Sequence, residues 1–278
     1  MKSPTLFVLL AMLQFYSCTD DDPEPESAQG PIIENPVSVF AIKSGATFEW
    51  RLDDLPDSYT TEAEVVDIDA FSATPTLVSN LKAQGKKVIA YISVGSVENF
   101  RDDADQFPQE VIGAVYEGFE DENWLDIRNI DAIAPVLQAR LDMIKDKGFD
   151  GVEPDNINGY QNTTGFPLTQ EDAIIFSRWL IQEAHNRGLS IGQKNAEELV
   201  PDLVNEFDWM LTEGAFANNW YEQAIPYITV GKAVFFTEYT DTMTEAQFLA
   251  NVCPIASTNN FSAVLKDRDL TNTTVYCD

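Results

Sequence analysis

The sequence predicts a (β/α)8 barrel, a fold in which eight parallel strands alternate with helices around one axis. Three observations support this class. From about residue 36 onward, short apolar segments alternate with longer amphipathic segments, as they do in α/β proteins. Eight of the short segments occur over roughly 240 residues, which is the usual size of such a barrel. Acids and other polar residues stand at the ends of several of them, where barrels carry their sites.

The strands are predicted from the short apolar segments, and the fourth lies at the start of the stretch 148–160. In chain order the segments are 48–52, 64–69, 87–96, the start of 148–160, 189–194, 208–213, 232–239 and 261–266. A doubly wound open sheet is the alternative, and it is weaker because no glycine-rich phosphate loop follows the first strand. We expect the barrel to occupy residues 37–278 as a single domain.

Amphipathic segments predict the helices that connect the strands. They are 75–84, 133–147, 169–187, 197–207, 220–229 and a segment that starts near Thr244. Gly148 stands where a helix C-cap belongs, and Thr169-Gln170-Glu171-Asp172 resembles an N-terminal capping motif. A longer connection, which holds Trp124, joins the third strand to the second helix.

The first 18 residues are typical of an export signal. Lys2 precedes an apolar run from Leu6 to Phe15, which is too short to span a bilayer, and Ser17-Cys18 follows it. The pattern resembles a bacterial lipoprotein signal, in which the cysteine becomes the acylated N-terminus; ordinary cleavage and secretion is the alternative. Residues 19–36 are acidic and proline-rich, which predicts an extended linker. We therefore expect an exported protein, lipid-anchored through Cys18 in the bacterial cell envelope, at the outer membrane or cell surface.

The charge balance is strongly acidic, with 46 Asp and Glu against 17 Lys and Arg and a formal net charge of −29. This balance argues against a nucleic-acid partner, because such binding depends on cationic side chains that neutralise phosphates. A cationic or neutral ligand suits the chain, and we expect a monomer. Cys253 and Cys277 are the cysteines outside the leader, so in an exported protein we expect a disulfide between them.

Polar residues at the strand ends predict where the chemistry lies, because barrels carry their sites at the C-terminal ends of their strands. Glu153 and Asp155 are two residues apart in the fourth strand and so project to the same face. Burial of two acids is costly unless they have a function. The other strand ends hold Asp67, Asp69, Tyr91, Ser93, Lys194, Asn195, Glu213, Glu238, Tyr239, Lys266 and Asp267. Each alone fits a helix cap or a rim contact, but their convergence on one mouth favours a functional site.

Carboxylate chemistry is the type that this residue set supports. The one histidine, His185, ends a helix before the fifth strand, so it would lie at the opposite face of the barrel, which argues against a Ser-His-acid mechanism. No HExxH motif or His/Cys cluster occurs, so we expect neither a zinc site nor a cofactor, although carboxylate-bound Mg²⁺ or Ca²⁺ stays open. Two carboxylates that flank a bond, one ionised and one protonated, are the equipment of a glycosidase.

Several of these segments occur together in a recognisable order between about residues 40 and 278. They are Asp67-Ile-Asp69, Tyr91-Ile-Ser-Val-Gly-Ser96, Gly151-Val-Glu-Pro-Asp-Asn156, Lys194-Asn195, Thr212-Glu213 and Glu238-Tyr239. Together they resemble glycoside hydrolase family 114, the endo-α-1,4-polygalactosaminidase-like barrels. The resemblance implies an enzyme that cleaves α-linked, galactosamine-containing polysaccharide by a two-carboxylate mechanism.

The same resemblance implies roles for individual residues. Asp155 would be the nucleophile and Glu213 the acid/base. The substrate-binding set would be Asp67, Asp69, Tyr91, Glu153, Asn156, Lys194, Asn195, Glu238 and Tyr239. One departure concerns the loop after the sixth strand, where members often carry cysteines and this chain has Glu213-Gly214-Ala215-Phe216. This departure concerns the loop and the sugar specificity. Glu213 itself is present, so the reaction type that the resemblance implies is less affected.

Two other functions stay open from the residues. One is a non-catalytic, surface carbohydrate-binding lipoprotein on the same barrel, and the other is a sugar-processing lyase or isomerase that uses Lys194 as base. Glu153 and Asp155 lie too close together on one strand to flank a bond. Asp155 therefore pairs with Glu213, and Glu153 is expected one layer deeper, where it holds Lys194. The sequence does not set the distance between the catalytic carboxylates, so retention and inversion both stay open.

Overall fold

Eight parallel strands form the centre of the protein. The structure is a computed structural model and describes residues 39–277; the predicted export signal, Cys18 and the linker lie outside these residues. The strands are β1 (Phe48–Arg51), β2 (Val65–Asp69), β3 (Lys87–Ser93), β4 (Gly151–Asp155), β5 (Ser190–Lys194), β6 (Trp209–Glu213), β7 (Val234–Tyr239) and β8 (Ser262–Lys266). Each of them overlaps one of the eight predicted segments.

The strands follow one another around a nearly closed barrel. Each pairs in parallel with the next along the chain, from β1 to β8, and a further strand, Thr274–Tyr276, pairs antiparallel with β8. The two ends of the sheet are joined where Leu52 N donates to Leu270 O over 3.1 Å and Ser262 Oγ donates to Ala46 O. The predicted (β/α)8 barrel is thus confirmed, and the open doubly wound sheet is not adopted.

The inward side chains change in chemistry along the barrel axis, because alternate residues of a strand share one face. Near the strand starts they form one buried apolar cluster, which includes Phe48, Val65, Ile89, Trp209 and Phe235. A Cβ atom on Gly192 would lie 2.4 Å from the Trp209 ring, so glycine at this position makes room for the indole. Toward the strand ends the inward residues become acids, lysine and tyrosine. The barrel therefore has an apolar base and a polar mouth.

Helices and short turns cover the outside of the sheet and bury a second apolar core against it. The α-helices are α1 (Pro75–Ala83), α2 (Ile130–Lys147), α3 (Gln170–Asn186), α4 (Val200–Leu203), α5 (Ile225–Thr229), α6 (Glu245–Gln247) and α7 (Cys253–Asn259). The predicted capping motif is present, since Thr169 and Asp172 form a capping box at the start of α3. Gly148 ends α2 with a φ of 88°, the left-handed conformation that glycine adopts readily.

Two helices are shorter than the sequence predicted. The segment 197–207 is a 3-10 turn, Glu197–Leu199, followed by the single turn of α4, and 220–229 is likewise split between Tyr221–Ala224 and α5. After α4 the chain turns toward β6, and Lys232 Nζ donates to the carbonyl oxygens of Val204 and Phe207. Lys232, a residue distant in sequence, thus bonds carbonyl oxygens that a longer helix would bond internally, so the amphipathic segment ends without a helix.

A three-stranded antiparallel sheet, here called the insertion sheet, lies between β3 and α2. Its strands are Ser96–Glu98, Ile112–Tyr116 and Phe119–Leu125, and the last of them is central. The sequence predicted only a connection in this region, so the insertion sheet is an addition to the predicted barrel. Leu125 N donates to Gly95 O over 2.9 Å, which fixes the central strand to the end of β3.

The C-terminal segment is held by a disulfide between Cys253 and Cys277, whose Cα atoms are 5.2 Å apart. The bond joins the first residue of α7 to the residue after strand Thr274–Tyr276. Since that strand pairs with β8, the disulfide holds the edge of the barrel sheet against its last helix. Among the helices within residues 39–277, none is long and apolar enough to cross a membrane.

Candidate active site

A cavity of about 480 Å³, here called the cleft, opens at the C-terminal ends of the barrel strands. Of the predicted site residues, those that line it are Tyr91, Asp155, Asn156, Lys194, Asn195, Glu213 and Tyr239. Another cavity, of about 380 Å³, lies beside the N-terminal ends of β1 and β8, and Glu62 is the one ionisable acid among its mainly apolar lining residues. The cleft is the candidate site because several polar groups converge there and barrels place their sites at this end.

Lys194, at the end of β5, is the centre of the site. Its Nζ lies 2.7 Å from Glu153 Oε1, 2.9 Å from Asp155 Oδ1 and 3.1 Å from Glu213 Oε2, and its side chain is 2% exposed. The same nitrogen lies 4.6 Å from the centre of the Trp50 ring. Burial lowers the pKa of Lys194, but the neighbouring carboxylates outweigh burial and hold the pKa well above its usual value. Lys194 therefore stays charged, which argues against its use as a general base.

Asp155 is the last residue of β4, where protein donors hold its carboxylate at the edge of the cleft. Its Oδ1 accepts a hydrogen bond from Lys194 Nζ, and its Oδ2 accepts one from the Tyr91 hydroxyl over 3.3 Å. Burial and the charge of Asp155 raise the pKa of Tyr91 well above its usual value, so the phenol keeps the proton that it donates. The Asp155 side chain is 20% exposed. The arrangement fixes a carboxylate in position without closing it off from a ligand.

Glu213 ends β6 and accepts hydrogen bonds from three donors. They are Lys194 Nζ, the Tyr239 hydroxyl and Asn195 Nδ2, the last over 2.9 Å. Asn195 Oδ1 in turn accepts from Glu213 N over 2.7 Å, so Asn195 fixes both the backbone and the side chain. Burial raises the pKa of Glu213, but Lys194, Tyr239 and Asn195 more than offset burial and lower the pKa overall. Glu213 is therefore ionised in the free protein at neutral pH.

Asp155 and Glu213 stand close together over Lys194. Because both contact the same Nζ atom, Asp155 Oδ1 and Glu213 Oε2 are no more than about 6 Å apart, the sum of their two distances to it. Retaining glycosidases hold their carboxyl groups ~5–5.5 Å apart, and inverting ones ~6.5–9.5 Å apart. The upper bound for these two oxygens lies below the inverting range and just above the retaining one.

Two acids lie beneath this pair, Asp67 on β2 and Glu153 on β4. Both are fully buried. Neither Asp67 oxygen nor Glu153 Oε2 has a hydrogen-bond donor among residues 39–277. Burial and the adjacent Glu153 carboxylate raise the pKa of Asp67 well above its usual value. Burial also raises the pKa of Glu153, to about 7, although Lys194 opposes this rise, so Asp67 is the acid of the pair that binds a proton more readily. These two acids form the floor below the cleft and do not line it.

Asp69 and Glu238 also lie outside the cleft lining, where they hold loops. Asp69 Oδ1 accepts from the backbone N atoms of Phe71 and Ser72, and its Oδ2 accepts from Arg101 Nη2 over 2.6 Å. Glu238 accepts from two backbone N–H groups in the loop after β6. Asp67, Asp69, Glu153 and Glu238 thus lie outside the cleft lining, and their direct contact with substrate stays a prediction.

Further cleft residues come from segments to which the sequence assigned no role. Glu122, Tyr116 and Phe119 belong to the insertion sheet, and Ser96 Oγ donates to Glu122 Oε2 over 2.7 Å. Burial raises the pKa of Glu122 to about 7. The other additional lining residues are Trp50, Leu52, Asn158, Arg268, Asp269 and Leu270. Glu122 and Trp124 lie two residues apart and are both buried, but the apolar residues of Phe119–Leu125 do not alternate with polar ones, so no clear signal in the sequence indicated this strand.

The site does not present a metal centre. Within residues 39–277, no group of three or more His, Cys, Asp or Glu side chains has an arrangement that could hold a metal ion. The acids of the cleft are instead compensated by Lys194 and by the phenols of Tyr91 and Tyr239. These donors fix the carboxylates of Asp155 and Glu213 at the mouth of the barrel.

Solved structures of other proteins resemble the chain. Ega3 from Aspergillus fumigatus, solved in complex with galactosamine, is 34% identical, with a TM-score of 0.82 over 87% of this chain and 100% of that one. The glycoside hydrolase domain of PelA from Pseudomonas aeruginosa is 15% identical, with a TM-score of 0.65 over 83% of this chain and 98% of that one. The PelA similarity shows the fold alone, and it agrees with the barrel described above.

Sequence comparison identifies the family. An uncharacterized protein of Deinococcus radiodurans is 30% identical over 157 residues, which are 52% of this chain and 50% of that protein; the match thus spans about half the length of that relative. The sequence model of glycoside-hydrolase family GH114 matches residues 32–278, which include every strand and helix of the barrel. The resemblance read from the sequence motifs is confirmed, and the chain belongs to glycoside-hydrolase family GH114.

Proposed function

We propose that the protein is a glycoside hydrolase that cuts α-1,4-linked, galactosamine-containing polysaccharide within the chain. The observation that carries this proposal is the pair of carboxylates, Asp155 and Glu213, held over one buried lysine at the mouth of a GH114 barrel. Ega3, whose structure contains galactosamine, has a similar fold at 34% identity. That similarity supports an amino sugar as the substrate.

Asp155 acts as nucleophile and Glu213 as acid/base in the proposed reaction. A carboxylate oxygen of Asp155 attacks the anomeric carbon while Glu213, in its protonated form, gives its proton to the departing glycosidic oxygen. Water then attacks the anomeric carbon, Glu213 takes the proton of that water, and the bond to Asp155 breaks. The short distance between the two carboxylates supports this retaining course. Tyr91 and Lys194 keep Asp155 in place for the attack.

The charge of the protein supports a cationic polymer as substrate. The chain has a formal net charge of −29, and three acids besides Asp155 line the cleft, Glu122, Glu213 and Asp269. A polysaccharide with free amino groups is attracted to such a surface, and the attraction weakens with added salt. A fully N-acetylated polymer lacks this charge and is expected to be a poorer substrate.

The test is digestion of α-1,4-linked polygalactosamine by purified protein, with products followed by mass spectrometry and anomeric configuration by NMR. We expect internal cleavage, with a ladder of oligosaccharides that retain the α configuration when first released. Asp155→Asn and Glu213→Gln should each abolish turnover while circular dichroism shows an intact fold. Absence of products from wild-type protein on partly deacetylated, fully deacetylated and N-acetylated polymers would refute the proposal. Binding without cleavage would instead favour the non-catalytic alternative.

The proposed location is the bacterial cell envelope, with a lipid on Cys18. The support is the signal-like sequence up to Cys18 and the acidic linker that follows it. Labelled fatty acid should be incorporated by cells that make the full chain and not by cells that make Cys18→Ala. A monomeric state is proposed with it, and the measurement that tests it is the mass in solution of residues 37–278.

A further inference from the structure

The insertion sheet contributes one wall of the cleft. Tyr116, Phe119 and Glu122 line the cleft from this sheet, and none of them belongs to a barrel strand. The wall is fixed to the end of β4, because Ser96 Oγ donates to Glu122 Oε2 and also accepts from Asn156 Nδ2 over 3.0 Å. Asn156 directly follows Asp155. The wall therefore flanks the Asp155 side of the cleft.

Phe119 presents an exposed aromatic ring on a fixed support. Its side chain is 53% exposed, and its ring centre lies 5.0 Å from that of Tyr116. Tyr116 packs in turn on the buried Trp124, with ring centres 4.3 Å apart. Phe119 and Tyr116 together give this side of the cleft two aromatic rings on which a ligand can pack. A ring held in place loses little entropy when the apolar face of a pyranose packs against it.

Glu122 places a polar group on the same wall of the cleft. Ser96 holds Glu122 Oε2, while Glu122 Oε1 accepts no hydrogen bond from residues 39–277. Burial raises the pKa of Glu122 to about 7, the Ser96 hydrogen bond and Arg101 lower it, and the charges of Glu98 and Asp155 raise it. The carboxyl is thus about half ionised at neutral pH, and a neighbouring ammonium group favours its charged form.

We propose that this wall is a sugar subsite beyond the catalytic pair, in which Phe119 packs on a pyranose and Glu122 accepts hydrogen bonds from the free 2-amino group of that sugar. The ligand class is an unacetylated 2-amino sugar within a longer chain. The inference rests on the proposed function for its substrate, and it adds the residues that select the sugar. An acetylated amine cannot offer Glu122 a charged donor, so the subsite discriminates against it.

The experiment compares Phe119→Ala and Glu122→Gln with two matched controls. Phe100→Ala removes a ring that is 58% exposed near the insertion sheet but outside the cleft lining. Glu120→Gln removes an exposed acid from the same strand as Glu122. Binding of α-1,4-linked galactosamine oligomers is measured by calorimetry in the Asp155→Asn background, and KM and kcat are measured with active protein. Thermal unfolding verifies that each variant is folded.

We expect Phe119→Ala to weaken binding of long oligomers about tenfold, the equivalent of one well-packed aromatic contact. KM should rise by a larger factor than that by which kcat falls. Short oligomers that do not reach the wall should lose less. Glu122→Gln should reduce the preference for free amine over N-acetyl by a similar factor and remove the dependence of KM on pH near 7. Both control variants should bind as the parent does.

Three results would refute the subsite. They are an equal loss of oligomer affinity in the control variants, an equal loss for short and long oligomers in Phe119→Ala, and an unchanged preference for free amine over N-acetyl in Glu122→Gln. Calorimetry does not need turnover, so the subsite and the reaction can fail separately. Wild-type protein that binds galactosamine oligomers through Phe119 and Glu122 but cleaves none would retain the subsite and refute the proposed hydrolysis. Cleavage whose KM and kcat do not change in either Phe119→Ala or Glu122→Gln would refute the subsite and retain the proposed hydrolysis.

Discussion

Lys194 Nζ lies 2.7 Å from Glu153 Oε1, and the Glu153 side chain has no exposed surface. Glu153 is the most buried of the three acids that Lys194 contacts. The ion pair therefore fixes the position of Lys194 along the barrel axis, where the lysine contacts Asp155 and Glu213. A buried carboxylate without a partner is costly. The pair therefore links the stability of the barrel to the geometry of its site.

Lys194→Met should lower the free energy of unfolding by about 3–5 kcal/mol at pH 7, because it leaves Glu153 buried without a counter-ion. Turnover should be lost as well, since Asp155 and Glu213 lose a shared donor. The deficit in stability should shrink at lower pH, where Glu153 binds a proton and no longer needs the lysine. Urea unfolding at several pH values measures this. Lys145→Met, on an exposed position of α2, is the control, and a deficit that is constant with pH would contradict the ion-pair argument.

Asp67→Asn should retain the fold and change how stability depends on pH. The pKa of Asp67 is raised in the folded protein, so between its unfolded value of about 3.9 and the folded value the native state holds more protons. Stability of the wild type then falls as pH rises through this range. An amide keeps a donor toward Glu153 and has no proton to lose. We expect the variant to gain stability relative to wild type as the pH rises from the unfolded pKa of Asp67 through its raised folded pKa.

Urea unfolding of both proteins across that range measures the difference. Asp131→Asn, on a position with an exposed side chain at the start of α2, is a suitable comparison because it removes the same charge outside the barrel. A stability difference between wild type and Asp67→Asn that does not change with pH would show that the pKa of Asp67 is not raised in the folded protein, contrary to the expectation from its burial.

The pH profile of activity should reveal the state of Glu213. The first step needs Glu213 protonated, and its pKa is lowered in the free protein, so kcat/KM should fall as pH rises through the acidic range. Tyr239→Phe removes one of the three donors to Glu213. Loss of a hydrogen bond to the ionised form raises the pKa of Glu213, so the falling limb should move up by about one pH unit or more.

The comparison with Glu122→Gln identifies the titrating group in that profile. A limb near pH 7 that disappears in Glu122→Gln would assign the titration to Glu122, whose pKa is raised to about 7. A limb that stays fixed in Tyr239→Phe would contradict the role of the phenol in holding Glu213 ionised. Thermal unfolding of Tyr239→Phe separates this effect from loss of structure.

The sequence was sufficient for the barrel and for the centre of the site, for a physical reason. Strand parity and position at a strand end determine that Asp155, Lys194 and Glu213 point into the same mouth, and the structure brings them together. Parity does not reveal depth along the axis. Depth follows instead from the position along the strand: Glu153, two residues before Asp155, was expected one layer deeper, and it contacts Lys194 there. Asp67 lies equally deep and outside the cleft lining, although it was expected to bind substrate.

Contacts between distant segments were not predictable in the same way. Asp69 stands at a strand end, but Arg101 from the insertion sheet region occupies it, and nothing near Asp69 in sequence indicates that partner. Glu122 and Phe119 lie in a connection whose mixed polarity gives only a weak strand signal. The convergence of Asp155, Lys194 and Glu213 therefore followed from local pattern, while the wall that is proposed to select the sugar required the three-dimensional structure.

Glu238→Ala should weaken activity by loosening the loop after β6. Glu238 accepts hydrogen bonds from Phe216 N over 2.8 Å and from Ala217 N over 3.2 Å, and this loop follows directly on Glu213. Loss of the carboxylate leaves two backbone donors without an acceptor, which should cost about 1–3 kcal/mol of stability. We expect kcat to fall together with the free energy of unfolding. Glu110 is an exposed acid that is distant from Glu238 in sequence, so Glu110→Ala should change neither kcat nor the free energy of unfolding.

The same variant decides between two roles for Glu238. A residue that contacts sugar, as the family resemblance implied, would raise KM and leave the free energy of unfolding near that of the wild type. A residue that holds the loop lowers stability and makes amide exchange in Gly214–Asn219 faster, because the N–H groups of Phe216 and Ala217 lose their acceptor. Hydrogen exchange followed by mass spectrometry measures this directly. Unchanged exchange in the loop, combined with a raised KM, would restore Glu238 to the substrate-binding set.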